Sequence, residues 1–235
     1  MLIINNIAKT FFSNTNKILP VLNDINFVVD QSEFLSIVGP SGCGKSTLLK
    51  IISGLEEKDA GQIIFQPKVY NKKLKAIMIW QDNRLFPWLT VRQNISFGLE
   101  ASENKIEAEI ERYIDLFKLN NFENYYHWQL SEGMQERVAI ARALIVKPDI
   151  LLMDESFASI DYQTKLILFA EVKNLQKILK IPIIYVTHDI RDAISFSDKV
   201  IILSARPAKI KKIIDTKNIN LDIPLEKEIL NLMKE

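Results

Sequence analysis

The segment Gly39-Pro40-Ser41-Gly42-Cys43-Gly44-Lys45-Ser46 constrains this chain more than any other stretch. It fits the pattern G-x-x-x-x-G-K-[ST]. It lies between an apolar β-type run, Phe34-Leu35-Ser36-Ile37-Val38, and a helical pattern that begins at Ser46 and stops near Gly54. Strand, glycine-rich turn and helix in that order form a phosphate-binding unit. The glycines let successive backbone N–H groups converge on an anion. The positive end of the following helix faces the same point. The run from Gly39 to Thr47 is therefore expected to hold a nucleotide polyphosphate, with Lys45 reaching the β and γ phosphates and the Ser46 hydroxyl on Mg²⁺. Glycine usage sharpens the point, because only seven of 235 residues are glycine and three of them lie in this segment. Few backbone positions elsewhere need positive φ or a close approach by a ligand.

Hydrophobic residues make up 48% of the chain and charged residues 25%, the balance of an ordinary globular protein. That excludes a disordered chain, a collagen and a disulfide scaffold. With 30 basic and 29 acidic residues there is no broad electrostatic footprint for nucleic acid. A single cysteine, Cys43, cannot form an internal disulfide and suits a reducing compartment. Met1 to Thr10 shows no secretory leader pattern, and no run reaches the roughly 18 apolar residues of a membrane span.

Along the chain, apolar β-type runs alternate with helical patterns. Ile63–Phe65, Ala76–Ile79, Ile150–Met153, Ile183–Thr187 and Val200–Leu203 read as strands. Tyr162 to Lys180 reads as an amphipathic helix closed by Pro182, and Ile106, Ile110, Ile114 and Phe117 recur at helical spacing. Residues from about Leu85 to Leu144 read as mostly helical, and Leu225 to Glu235 as a short exposed amphipathic helix. Continuous apolar strands separated by helices predict an α/β sheet, largely parallel and covered on both faces.

Ile150-Leu151-Leu152-Met153-Asp154-Glu155 is a buried-type strand ending in two carboxylates. In doubly wound sheets ligands sit at the carboxyl ends of strands. Asp154 is expected to hold Mg²⁺ directly or through water. Glu155 is expected to act as general base towards an attacking water.

At this point the chain resembles the ATP-binding subunits of ABC transporters over nearly its whole length. Gln81, in Ile79-Trp80-Gln81-Asp82, resembles the glutamine that touches Mg²⁺ and senses the membrane partner. Leu130-Ser131-Glu132-Gly133-Met134 resembles the family's signature motif. Ser156 to Asp161 resembles the D-loop, and Val186-Thr187-His188-Asp189 the strand with the switch histidine. Phe11 falls where the family stacks an aromatic ring on adenine, although beside Phe12 it also reads as core packing. Leu85-Phe86-Pro87-Trp88-Leu89-Thr90-Val91 and Ala205-Arg206-Pro207 resemble the importer ATPases for nitrate, alkanesulfonate and taurine.

The resemblance implies a P-loop NTPase fold of ABC ATPase type, a mainly parallel sheet core with an antiparallel β edge. Residues 1–84 and 145–235 would form the nucleotide-binding core and 85–144 an inserted helical subdomain. It also implies ATP and Mg²⁺ as ligands, with Glu155, His188 and Gln81 as the catalytic group. Two copies would close head to tail, so that Ser131, Gly133 and Asp161 serve the partner's nucleotide. A membrane permease and an extracytoplasmic solute-binding protein would complete the assembly, with this subunit on the cytoplasmic face of the inner membrane and no nucleic-acid partner.

Several positions depart from the family pattern. Glu132 stands where the family usually has glycine, as do Ser32 and, within the importer group, Ala158; Ser156 replaces a proline. A carboxylate about 5 Å from a phosphate charge repels it by roughly 3 kcal/mol at an effective dielectric of about 20. This motivates an alternative, a degenerate subunit that closes on ATP but hydrolyses weakly. A soluble ABC ATPase of nucleic-acid metabolism needs long coiled-coil insertions or two cassettes, and 235 residues hold neither.

Overall fold

The computed structural model describes the chain except residues 13–17, 67–73, 83, 100–102, 159, 217–222 and 235. The strands are β1 (Leu2–Phe12), β2 (Ile18–Val29), β3 (Phe34–Val38), β4 (Ala60–Phe65), β5 (Ala76–Ile79), β6 (Ile150–Asp154), β7 (Ile183–Val186), β8 (Lys199–Leu203) and β9 (Ile210–Asp215). The helices are α1 (Lys45–Ser53), α2 (Val91–Ser96), α3 (Glu103–Leu116), α4 (Glu132–Ile145), α5 (Tyr162–Leu179), α6 (Ile190–Phe196) and α7 (Ile223–Lys234).

The strands form two sheets. One has the order β2-β1-β4 and is antiparallel throughout. The other has the order β5-β6-β7-β3-β8-β9. Its first five strands run parallel, and β9 returns antiparallel along β8. All residues of β3, β6 and β7 are buried, as expected for strands covered on both faces. Side chains of β3 point alternately into two cores. Phe34 joins Phe157, Phe169 and Tyr185 on one face, while Leu35 and Ile37 join Leu48, Leu49 and Ile52 of α1 on the other. The first face is aromatic, with Phe169 stacked on Phe196 and tilted against Phe157.

Helix α1 forms because Leu48, Leu49, Ile51 and Ile52 make one apolar stripe, and it ends at Gly54 in the left-handed conformation. Between β5 and β6 the chain runs through α2, α3, a short 3₁₀ turn (His127–Gln129) and α4. Helix is less continuous there than the sequence suggests: Leu85–Thr90 and residues 117–126 are turns and extended segments. The segment Phe86–Thr90 is ordered by buried Asn94. Its Oδ1 accepts from the Phe86 N–H, and its Nδ2 donates to the carbonyls of Phe86, Leu89 and Thr90.

The C-terminal helix is a correction. Leu225 and Ile229 of α7 are buried with Ile190, Ala193 and Ile194 of α6. Their i, i+4 spacing supplies a stripe that looked exposed only because its partner on α6 was not identified. The structure also extends the edge sheet well beyond the predicted Ile63–Phe65. Strand β1 pairs with both β2 and β4 over most of its length. No helix of the described residues is long and apolar enough to cross a membrane.

Candidate active site

Five parallel strands share one carboxyl edge, and the residues singled out by sequence follow their ends. The phosphate loop leaves β3, Trp80 and Gln81 follow β5, and Asp154 and Glu155 end β6. His188 lies two residues beyond β7, and Ser204 to Arg206 follow β8. Register aligns them: Val186 pairs with both Asp154 and Ile37, and Val38 pairs with Ile202. A right-handed parallel sheet gathers ligand-binding groups at this edge.

In the phosphate loop, Gly42 and Gly44 have φ of +71° and +120°. A Cβ on Gly44 would lie 2.7 Å from Val21 Cγ1 and 2.9 Å from Leu22 Cδ2. Backbone conformation therefore demands glycine at both positions, and at Gly44 space does as well. The turn is closed by Cys43 N–H donating to the Pro40 carbonyl at 3.2 Å. Lys45 is buried, and its Nζ donates to the carbonyls of Gly39 at 2.8 Å and Pro40 at 3.1 Å. The ammonium is thereby folded back over the loop it terminates. Ser41 is exposed, and Thr47 in the first turn of α1 is half-buried. The Cys43 thiol is buried, with Sγ 3.0 Å from a Cβ built on Gly39. Burial pushes its pKa up. Only the Cys43 backbone therefore remains for a ligand, and the thiol sensitivity that its place in the loop suggests is not supported.

The acidic strand end meets this loop. Ser46 Oγ donates to Asp154 Oδ1 at 3.0 Å, across 108 positions of sequence. Burial raises the Asp154 pKa, with the Ser46 hydrogen bond opposing the shift. Glu155 has φ of +51°, and its N–H donates to the Val186 carbonyl at 2.9 Å. Its Oε2 lies 3.0 Å from His188 Nδ1. The Glu155 side chain is mostly covered, while that of His188 is 65% exposed. The base expected from one strand and the histidine expected from the next are thus in direct contact.

Gln81 is exposed at the end of β5. Its neighbour Trp80 lies between two cations, Arg84 Cζ at 4.0 Å and Lys50 Nζ at 5.6 Å from the ring centroid. Lys50 is on α1, so this cluster ties the phosphate-loop helix to the segment after β5. Sequence reading passed over Trp80; aromatic-to-cation contacts between distant segments leave no local signal.

Ser131, Gly133 and Asp161 are brought together. Ser131 caps α4 and accepts from the Met134 N–H. Asp161 caps α5 and accepts from the Thr164 N–H at 3.1 Å; the Thr164 side chain, and after it this N–H, lower its pKa. A Cβ on Gly133 would lie 2.8 Å from Thr164 Cγ2, so the two helix starts adjoin. Glu132 is exposed in the first turn of α4. A carboxylate is favourable there, because the helix start is its positive end.

Phe11 is partly buried against the core under β1, with Lys9 Nζ 4.9 Å from its ring centroid. Its packing role is therefore real, and the residue is only partly covered. One loop residue was not assigned to the site from sequence. Arg206 Nη2 lies 2.8 Å from a Cβ built on Gly42. The Ala205-Arg206-Pro207 run marked it only as a likeness.

Comparison with known proteins gives the same picture. The family model described as "ABC transporter" matches residues 22–158. The aliphatic sulfonates import ATP-binding protein SsuB of Bacillus cereus (strain ZK / E33L) is 41% identical over 215 residues, 91% of this chain and 85% of that protein. An uncharacterised ABC transporter ATP-binding protein of Methanocaldococcus jannaschii is 40% identical over 246 residues, covering 99% of this chain and 91% of its own. Among solved structures, a dimeric post-hydrolysis state of the ATP-binding cassette MJ0796 bound to ADP and Pi superposes with a TM-score of 0.79 at 27% identity. It covers 93% of this chain and 100% of its own. The chain belongs to the ABC transporter family and is an ATPase.

Proposed function

We propose that this chain is the energy-supplying ATPase subunit of an importer for a small anionic solute of the nitrate, sulfonate or taurine type. The observation that carries this reading is the convergence on one strand edge of the phosphate loop, the Ser46–Asp154 pair and the Glu155–His188 pair. The relatives named as sulfonate import proteins support the solute class.

The backbone of Gly39 to Thr47 and the Lys45 ammonium receive the triphosphate of ATP, and Phe11 flanks the adenine. Ser46, Asp154 and Gln81 are the residues for Mg²⁺. The Ser46 hydroxyl and the Asp154 carboxylate are adjacent hard oxygen donors, the chemistry that ion takes. Among the described residues no cluster of three or more His, Cys, Asp or Glu forms a complete cage. Bound there, Mg²⁺ supplies charge neutralisation. Glu155 accepts the proton of the attacking water. His188 fixes the carboxylate through Oε2, leaving Oε1 for that proton.

Two copies then close head to tail, each presenting Ser131, Gly133 and Asp161 to the other's nucleotide. ATP drives closure only to the extent that it binds the closed pair better than the open one. Residues 85–144 act as a helical subdomain that faces the permease on the cytoplasmic side of the membrane. Trp88, 69% exposed on the Asn94-braced segment, is its contact residue. A solute-binding protein outside the membrane selects the cargo.

The test is steady-state ATP hydrolysis by purified protein. Glu155→Gln is expected to lose at least about a hundredfold in turnover while retaining ATP binding, and Lys45→Ala to lose binding. Normal turnover in Glu155→Gln would remove the assigned base. A second reading, a weakly hydrolysing subunit, draws on the exposed Glu132. Under it Glu132→Gly raises turnover several-fold; an unchanged rate would exclude attenuation at this position.

A further inference from the structure

The turn after β8 is a built feature. The Ser204 N–H donates to the Lys209 carbonyl at 2.9 Å, and the Lys209 N–H donates to Ser204 Oγ at 3.0 Å. Ala208 N–H donates to the Val21 carbonyl at 2.8 Å, and Asn23 N–H donates to the Ala208 carbonyl at 2.9 Å. The base of the turn is thus stapled to β2 at the residues beside Gly44: Val21 and Leu22 flank that glycine. Turn and phosphate loop are fixed to the same strand.

Arg206 stands on this turn with its guanidinium against Gly42, Nη2 being 2.8 Å and Cζ 3.9 Å from a Cβ built there. The residue is exposed, and no carboxylate of the described residues pairs with it. The electrostatic reach is visible at Cys43: burial raises that thiol, and Lys45 and Arg206 both oppose the rise. The loop therefore carries two cations. Lys45 is tied to carbonyls within it, and Arg206 lies outside it with donors uncommitted.

We propose that Arg206 is a second polyphosphate-binding cation of this site, held in place by the Ser204–Lys209 turn and acting on the phosphates rather than on the base. The proposal rests on the reading of the phosphate loop as the nucleotide site. A guanidinium suits this role because its charge is permanent and its planar fork matches phosphate oxygens. The turn fixes the backbone from which the side chain reaches the loop.

The test is equilibrium binding of a non-hydrolysable ATP analogue, ADP and adenosine, each with Mg²⁺, to the full chain and to Arg206→Gln, Arg206→Lys and Lys45→Ala. Binding is measured at low and high salt, with the unfolding midpoint of each unliganded protein. Arg206→Gln should weaken the triphosphate about fivefold, ADP less, and adenosine not at all, and should flatten the salt dependence. Arg206→Lys, which keeps the charge but loses the planar fork, should fall between wild type and Arg206→Gln. Triphosphate binding by Arg206→Gln equal to wild type, while Lys45→Ala has lost it, overturns the proposal and leaves the nucleotide site standing. Equal losses for Gln and Lys with a lowered unfolding midpoint would show a brace for the loop, and also overturn it. Failure of wild type to bind either nucleotide would overturn the underlying reading, and this proposal with it.

Discussion

Glu155 and Ser32 both hold backbone conformations that ordinary side chains avoid, with φ of +51° and +60°. For Glu155 the strain lies at the reacting end of β6, where the Val186 carbonyl and His188 hold the residue from two sides. Strain of this kind persists where surroundings over-determine it, and active sites are where it collects. Ser32 has no such role. It lies in the turn before β3, and its carbonyl accepts from Gln176 Nε2 at 2.6 Å. That bond uses only the backbone, so Ser32→Gly should keep it and relieve the left-handed Cβ. We expect about 1 kcal/mol of added stability, read by denaturant unfolding, with hydrolysis unchanged. A destabilised variant would show that the serine hydroxyl contributes more than its backbone costs. Sequence alone marked Ser32 as a position where relatives carry glycine. The positive φ explains why, and no local pattern shows it.

At the scale of elements, the helices that follow β6 and β7 are joined. Lys165 of α5 donates to Asp192 of α6 at 2.9 Å, with side chains only 12% and 4% exposed. Burial raises the Asp192 carboxyl against the opposing pull of Lys165. Helix α5 is capped by Asp161 and α6 by Asp189, the residue after His188, so the pair ties together the two helices that start beside these candidate site residues. Lys165→Met leaves a buried carboxylate alone and should cost about 3 kcal/mol. Adding Asp192→Leu should recover most of that loss, as measured in a double-mutant cycle. A mild effect of the single change would mean that water already reaches the pair.

Legibility at this scale followed burial pattern. Strands β3, β6 and β7 were readable because every residue is apolar or buried. Helices α1 and α5 were readable from their 3.6-residue period. The N-terminal hairpin was not spelled out, because register shifts after Ile4, Ile7 and Lys9 break the alternation that signals a strand. Helix α7 is legible as a helix but not as a packed one, since buried Leu225 and Ile229 make sense only beside α6.

Over the whole molecule, one mixed sheet gathers the candidate site residues at the ends of its five parallel strands. The phosphate loop and Asp154–Glu155 were legible because each is a contiguous run with a known physical job. The Ser46–Asp154 and Glu155–His188 contacts were only implied, and Arg206 against Gly42 was not. Each of these depends on strand order, which places segments far apart in sequence side by side. Within the chain Ser131, Gly133 and Asp161 adjoin one another at the starts of α4 and α5. On our account that shared patch reads the nucleotide of a second copy. The decisive measurement is the solution mass of Glu155→Gln by light scattering, with and without MgATP. The account predicts a single-chain mass without nucleotide and twice that mass with MgATP, reversed by adding Ser131→Arg. A single-chain mass at saturating MgATP would contradict it.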